Sequence, residues 1–124
     1  MKTKILFVED DVVLRNNYVE ILELFDFTVI PAEDGEEAMA ILQNEEIDVI
    51  VSDIRMPRMN GLLFLKKVRS EEKWLNLPFI LLSAHAENTD YENGIKSGAN
   101  EYLTKPIRGK DLVNAIQNVI AEVQ

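Results

Sequence analysis

Short apolar runs alternate with longer segments of helical periodicity along the whole chain. The apolar runs are rich in β-branched and aliphatic side chains, and turn-forming residues separate them from the helical segments. This alternation is typical of βαβ units, in which helices connect parallel strands. The pattern predicts strands at Lys4–Val8, Phe27–Ile30, Ile47–Ser52, Phe79–Ser83 and Glu101–Leu103, each followed by a helix.

Apolar residues at helical spacing predict which helices pack firmly on the sheet. The first helix has such a face at Leu14, Tyr18, Ile21, Leu22 and Phe25, and the last helix has one at Leu112, Ile116, Val119 and Ile120. The fourth helix, near Asn88 to Ser97, offers only Tyr91 and Ile95 as apolar anchors. We therefore expect the fourth helix to shift more easily than the first and the last.

Strand composition also predicts the order of the sheet. The first, third and fourth strands are continuous apolar runs, as is typical of strands covered on both faces. Polar residues interrupt the second and fifth strands, and Pro31 follows the second, so these two belong at the edges. With right-handed crossovers the order is 2-1-3-4-5. The expected fold is α/β: a doubly wound, five-stranded parallel sheet in a flavodoxin-like (βα)5 three-layer sandwich.

Length and composition narrow the functional classes. The 124 residues suit a single domain, and the absence of cysteine excludes disulfides, thiolate zinc sites and thiol chemistry. A net charge of −9, from 13 basic and 22 acidic residues, is the wrong sign for direct nucleic-acid binding. No apolar stretch is long enough for a membrane span, so a cytoplasmic protein is expected.

Polar residues cluster where the predicted strands end. Ligands of such sheets bind at the carboxyl ends of the strands, beside the switch point between strands 1 and 3. Strand 1 leads into Glu9, Asp10 and Asp11, and strand 3 leads into Asp53. Asp10 or Asp11 alone could simply cap the first helix. A second carboxylate at about 4 Å adds a repulsion of roughly 1 to 4 kcal/mol, which favours a bound cation. Oxygen ligands without His or Cys favour Mg²⁺.

Ser83, at the end of strand 4, and Lys105, after strand 5, complete this group. Each alone is ordinary, as a strand-end hydroxyl and a surface ammonium. Together with the acids they supply a nucleophile, a charge neutraliser, a hydrogen-bond donor and a counter-charge. These are the parts needed to form an aspartyl phosphate, so the sequence indicates phosphoryl chemistry.

Four segments, in order and spacing, resemble the CheY-like receiver domains of two-component response regulators. They are residues 5–11, 53–61, 83–84 and 102–106, so the resemblance runs through the whole chain. It implies that Asp53 accepts the phosphoryl group. It also implies that Asp10, Asp53 and the main-chain carbonyl of Arg55 bind Mg²⁺ directly, while Glu9 assists through water.

The resemblance also has implications for other positions around the site. Lys105 would pair with the phosphoryl group, the Ser83 hydroxyl would bond to it, and Tyr102 would change rotamer on activation. The Lys105–Pro106 peptide would be cis. Arg55 and His85 occupy two positions that border the phosphoryl group in this family and tune its hydrolysis there, so they are candidate tuning residues. Arg55 has three open interpretations: pairing with Glu9, pairing with the phosphate, or exposure to solvent. His85 is interpreted as a partly exposed side chain rather than a relay base.

The function implied is a signalling switch. The domain would take a phosphoryl group from a histidine kinase or a phosphotransfer protein and would present an altered face of helix 4, strand 5 and helix 5 to a downstream protein. It would catalyse only its own phosphorylation and dephosphorylation, so it would not be an enzyme acting on a metabolite. The expected state is a monomer or a phosphorylation-dependent dimer.

Other classes fit less well. A haloacid-dehalogenase-like phosphatase needs a second Asp that the segment Asp53-Ile54-Arg55 lacks, and the acidic triplet would repel the phosphate of a flavin. A docking pseudo-receiver usually loses the acceptor, an acid or the lysine, and this chain keeps all of them. We expect residues 1–124 to form one receiver domain with no output domain visible. Both a stand-alone regulator and a fragment of a longer multidomain regulator stay open.

Overall fold

The computed structural model describes residues 2–84 and 88–122, with residues 88–91 described by backbone alone. The strands are β1 (Lys4–Val8), β2 (Thr28–Ala32), β3 (Val49–Asp53), β4 (Phe79–Ser83) and β5 (Glu101–Thr104). The helices are α1 (Val12–Leu24), α2 (Gly35–Asn44), α3 (Gly61–Arg69), α4 (Asn88–Lys96) and α5 (Gly109–Glu122), with a short 3₁₀ turn at Glu72–Trp74. Within these ranges, no helix is long and apolar enough to cross a membrane.

The sheet is parallel and its order is β2-β1-β3-β4-β5, which confirms the predicted topology and edge strands. The limits of the second, third and fifth strands differ from the predicted ones by one or two residues. Pro31 lies inside β2, opposite Phe7, and the strand continues to Ala32. An edge strand tolerates proline because one of its sides needs no ladder hydrogen bond. The third strand begins at Val49 and includes Asp53, whose partner on β4 is Leu82.

Alternate side chains of the central strands enter two separate cores, one on each face of the sheet. Helices α1 and α5 cover the face that carries Phe7 and Val51, and α2 and α3 cover the face that carries Leu6 and Ile50. Helix α4 lies on this second face, over β4 and β5. Continuous apolar strands are therefore needed in the middle of the sheet, as the sequence pattern indicated.

The predicted apolar face of α1 is partly wrong. Tyr18 and Leu22 are buried, but Leu14 is 37% exposed and Phe25 is 49% exposed. Leu14 belongs to the first turn, and Phe25 is the residue that caps the helix after Leu24, so neither lies over the middle of the sheet. Ile21, in the last turn of the helix, does pack tightly on α5, because a Cβ on Gly109 would lie 2.3 Å from its Cγ2 atom.

Helix α4 packs on the sheet through a glycine. Ile95 was expected to anchor it but is 40% exposed, and the side chain of Tyr91 lies outside the described residues. Gly94 is the buried position, since a Cβ there would lie 2.7 Å from Cδ1 of Leu81 and 3.5 Å from Cδ2 of Tyr102. The missing side chain allows the α4 backbone to approach these two strands closely.

A half-buried arginine joins the ends of α3 and α4. The Arg69 guanidinium donates to the carbonyl oxygens of Gly98 at 2.9 and 3.0 Å, Trp74 at 2.8 Å and Leu77 at 2.7 Å. It also donates to Oδ1 of Asn100 at 3.1 Å. Burial lowers the pKa of Arg69. Gly98 has φ of +107°, in the left-handed region that suits the residue after a helix, as the Ser97-Gly98 pair indicated.

Candidate functional site

The acidic triplet after β1 divides between two tasks. Asp11 caps α1, since its Oδ1 atom accepts from the amides of Val13 and Leu14 at 3.0 and 3.1 Å. Asp10 is exposed, whereas Glu9 is 1% exposed. The capping interpretation of the triplet is therefore right for Asp11, and Glu9 and Asp10 are left to line the edge of the sheet.

Asp53 ends β3 beside Glu9 and Asp10. Lys105, which follows the edge strand β5, reaches the carboxylates of Glu9 and Asp53. The Lys105 ammonium donates to Oε1 of Glu9 at 2.7 Å and to Oδ2 of Asp53 at 3.2 Å. Oδ1 of Asp53 accepts from the Ile54 amide at 2.9 Å, which leaves Oδ2 directed toward the ammonium. All three charged side chains are nearly buried, at 2% exposure for Glu9, 9% for Asp53 and 11% for Lys105.

Crowding of like charges defines the electrostatics of the site. Glu9, Asp10 and Asp53 each offer a carboxylate oxygen, and these oxygens lie within 4.8 Å of one another. Although Asp10 is exposed, partial loss of hydration raises the pKa of its carboxyl, and the neighbouring Glu9 carboxyl raises it further. Burial alone would lower the pKa of Lys105, but its bond to Glu9 and the charge of Asp53 raise it above the usual value. A hard divalent cation fits this set of oxygen donors.

Ser83 and Tyr102 lie on the two strands between Asp53 and Lys105. Ser83 is the last residue of β4 and is 1% exposed, and its carbonyl accepts from the Lys105 amide at 2.7 Å. Tyr102 pairs with Leu81 in the sheet and is 7% exposed, in the core beneath α4. The Lys105–Pro106 peptide is cis, as the resemblance implied.

The two suggested tuning residues are placed differently. Arg55 is exposed, and the Glu9 carboxylate, one of its suggested partners, is paired with Lys105. His85 lies outside the described residues. The structure therefore brings together Glu9, Asp10, Asp53, Ser83 and Lys105 at one edge, with Arg55 in the adjoining loop.

The loop from Asp53 to α3 folds back tightly on the acceptor strand. The Gly61 amide donates to the Ile54 carbonyl at 2.7 Å. A Cβ on Gly61 would lie 2.1 Å from the carbonyl oxygen of Asp53, so only glycine fits. Asn60 then starts the helix by accepting from the Leu63 amide at 2.9 Å. This geometry keeps Asp53 at the base of a short, closed loop.

Two contacts around the site were not predicted. The Arg58 guanidinium binds the buried carboxylate of Asp34, the residue that caps α2. The Tyr18 hydroxyl lies 3.4 Å from both the amide nitrogen and the carbonyl oxygen of Ile107, in the loop that follows Lys105. The partners are 24 and 89 positions apart in the sequence, so no local pattern could have revealed either contact.

Comparisons with known proteins agree with this geometry. A family model described as Response regulator receiver domain matches residues 5–117. The transcriptional regulatory protein CpxR of Escherichia coli is 38% identical over 117 residues, which are 94% of this chain and 49% of CpxR. The phosphate regulon regulator PhoB of Klebsiella pneumoniae is 33% identical over 123 residues, 99% of this chain and 54% of PhoB. The chain spans about half the length of these curated relatives.

Solved structures show the same fold. The chemotaxis response regulator CheY4 of Vibrio cholerae superposes with a TM-score of 0.90 at 32% identity, over 96% of this chain and 99% of CheY4. The receiver domain of the sensor histidine kinase PA1611 of Pseudomonas aeruginosa gives 0.90 at 30% identity, over 98% of this chain and 99% of that chain. That structure holds a magnesium ion coordinated in its active site cleft.

Proposed function

The chain belongs to the receiver domain family of response regulators in two-component signal transduction, and on that premise we propose that Asp53 is its phosphoryl acceptor. The observation that supports this proposal is the position of Asp53. Its carboxylate ends the central strand β3, faces Glu9 and Asp10, and carries Lys105 on its Oδ2 atom. No other acid in the described residues shares all three features.

Mg²⁺ is the cofactor that we propose for this site. The residues that would hold it are Asp10, Asp53 and the Arg55 main-chain carbonyl, with Glu9 assisting through water. The oxygen-only donor set fits a hard cation, and a magnesium ion occupies the cleft of the PA1611 receiver domain. When bound, Mg²⁺ would neutralise negative charge on the acids and on a phosphoryl oxygen.

The protein's own groups carry the transfer. A carboxylate oxygen of Asp53 would form a bond to phosphorus while the bond between phosphorus and the donor breaks. For a phosphohistidine donor, the leaving imidazole nitrogen keeps the electron pair and takes up a proton. Lys105 would move from its pairing with Glu9 and Asp53 to the new phosphoryl oxygens, and the Ser83 hydroxyl would donate to another of them. Arg55 and His85 are the proposed residues that tune hydrolysis.

The output step would begin at Ser83. Its movement toward the phosphoryl group would free space that Tyr102 takes by changing rotamer, and Tyr102 lies against α4 at Gly94. The face formed by α4, β5 and α5 would then be altered for a downstream protein. A histidine kinase or a phosphotransfer protein is the proposed donor, and the proposed state is a monomer or a phosphorylation-dependent dimer.

We propose residues 1–124 as a single receiver domain. CpxR and PhoB are about twice as long as this chain, so a receiver within a longer regulator and a stand-alone regulator are both consistent with the match. In either arrangement the domain would turn over no metabolite and would catalyse only its own phosphorylation and dephosphorylation.

Intact mass spectrometry with acetyl phosphate tests the acceptor. The protein, Asp53→Asn and Asp26→Asn are incubated with and without Mg²⁺. Asp26 is a matched control, because it is exposed just before β2, at the end of the sheet away from Asp53, and its φ of +71° suits asparagine. The protein and Asp26→Asn should gain one phosphoryl group only with Mg²⁺, and Asp53→Asn should gain none. No gain in any sample would refute the proposal and would favour a docking module.

A further inference from the structure

Arg58 adopts a backbone conformation that its residue type disfavours. Its φ is +64°, and among the described residues only Asp26 is another non-glycine residue with positive φ. Glycine and asparagine are the usual residues there, because a Cβ crowds the following carbonyl. Contacts of the loop offset the strain of this conformation, and the Arg58 side chain makes one of them.

That contact is an ion pair with the start of α2. The Arg58 guanidinium binds Oδ2 of Asp34 and lies 3.2 Å from Oε1 of Glu33. The Asp34 side chain is only 3% exposed, and its Oδ1 atom caps α2 by accepting from the Glu37 amide at 2.8 Å. The pair therefore joins the loop after Asp53 to a helix end that is itself well fixed.

The next residue adds a second contact between the same two segments. Met59 is 8% exposed, and a Cβ on Gly35 would lie 2.9 Å from its Cγ and Sδ atoms. Two adjacent loop residues, Arg58 and Met59, thus pack on two adjacent residues of the α2 start, Asp34 and Gly35. Contacts at two neighbouring points restrict rotation of the loop as well as its translation.

The loop is short enough to pass this restraint to the proposed metal site. The Met59 amide donates to the Pro57 carbonyl at 2.7 Å, and the Gly61 amide donates to the Ile54 carbonyl at 2.7 Å. Arg55, whose carbonyl is a proposed Mg²⁺ ligand, lies inside the larger of these turns, between Ile54 and the smaller turn that begins at Pro57. A displacement at Arg58 would therefore move the backbone around Arg55.

We propose that the Arg58–Asp34 pair is a positioning device, which holds the loop so that the Arg55 carbonyl can coordinate a divalent cation. This inference rests on the proposed function. The positioning role and a purely electrostatic role of Arg58 predict opposite changes in the affinity for Mg²⁺. Removing a positive charge near an acidic site would tighten cation binding, whereas loss of positioning would weaken it.

Calorimetric titration with Mg²⁺, without phosphodonor, separates these effects. In Arg58→Gln the dissociation constant for Mg²⁺ should rise by about three- to tenfold. The rise is modest because the substitution displaces one carbonyl ligand and leaves the carboxylate ligands in place. Asp34→Asn keeps a capping oxygen and should give a similar rise, and the double variant should be no worse than either single variant. Lys66→Gln removes the same charge from an exposed site on α3 and should leave the constant unchanged.

Hydrogen exchange of the Gly61 amide without Mg²⁺ gives a second readout. It should become at least about threefold faster in Arg58→Gln than in Lys66→Gln, because the loop is less restrained. An unchanged or lower dissociation constant in Arg58→Gln, or an unchanged exchange rate, would overturn the positioning role. The proposed function would still stand in that case, provided that the unaltered protein is phosphorylated. Failure of the unaltered protein to bind Mg²⁺ would instead refute the proposed function.

Discussion

Replacing Lys105 by methionine should expose the cost of the crowded acids. The ammonium is the positive group that contacts both Glu9 and Asp53, at 2.7 and 3.2 Å. Lys105→Met keeps the apolar part of the side chain and removes only the charge. Two nearly buried carboxylates would then face each other, with Asp10 beside them, and no ammonium between them.

The expected loss of stability follows from the burial of the Glu9 and Asp53 carboxylates. Removing one partner of a fully buried ion pair costs about 3–5 kcal/mol, mainly because the remaining charge stays desolvated. Here Asp10 is exposed, so water reaches the edge of the cluster. We therefore expect a smaller loss, about 2–3 kcal/mol at pH 7.5 without Mg²⁺. Mg²⁺ should restore most of the lost stability of Lys105→Met, because the cation supplies the missing positive charge.

The pH dependence has a definite sign. The pKa of Lys105 is raised, so its contribution is fully present below the unfolded value of about 10.4 and is lost as pH rises through the folded value. The stability gap between the protein and Lys105→Met should therefore close at high pH.

Urea unfolding followed by Trp74 fluorescence measures this gap. Trp74 is the single tryptophan and is 9% exposed near the start of β4. It therefore reports unfolding of the core at a distance from the acidic site, which lies at the carboxyl ends of the strands. Lys110→Met, at an exposed position on α5, is the control and should change stability by less than about 0.5 kcal/mol. Equal stability of Lys105→Met and Lys110→Met without Mg²⁺ would refute the reasoning.

Three further substitutions test other parts of the structure. Asp34→Ala should lose about 1–2 kcal/mol at pH 7, since it removes the α2 cap to the Glu37 amide. Bonds to that amide and to arginine outweigh burial and lower the pKa of Asp34, so this loss should shrink as pH falls below about 4 in urea titrations. Gly61→Ala should lose about 1–3 kcal/mol in the same assay and should slow phosphorylation, because its Cβ would meet the Asp53 carbonyl. Tyr102→Ala should accept a phosphoryl group normally but show a smaller phosphorylation-dependent change in partner affinity by calorimetry; an unchanged difference would contradict the switch.

The sheet could be predicted from sequence because its two faces are both buried. Apolar continuity in β1, β3 and β4 and polar interruption in β2 and β5 determine the order, since only the central strands lack a solvated side. The location of the site followed from the same order, because carboxyl ends of neighbouring parallel strands share an edge.

Side-chain pairing within the site could not be predicted. Lys105 binds Glu9 across 96 sequence positions, and no local periodicity encodes that contact. The burial of Leu14 and Ile95 was misjudged for a related reason. Helical spacing identifies a face but does not show how far the helix extends past the sheet, or whether a glycine such as Gly94 lies closest to it.

The hydrogen bonds of Arg69 restrict how α4 can respond to a signal. They hold Gly98 and Asn100, just beyond the C-terminal end of the helix, to the end of α3. While these bonds hold, the C-terminal end of α4 is restrained, so lateral movement of the helix is largest at its N-terminal end. The backbone at Asn88, where the helix begins, would then travel furthest, at the same end of the strands as Asp53. A partner that senses this movement would gain most by contacting the end of α4 nearest the acidic cluster.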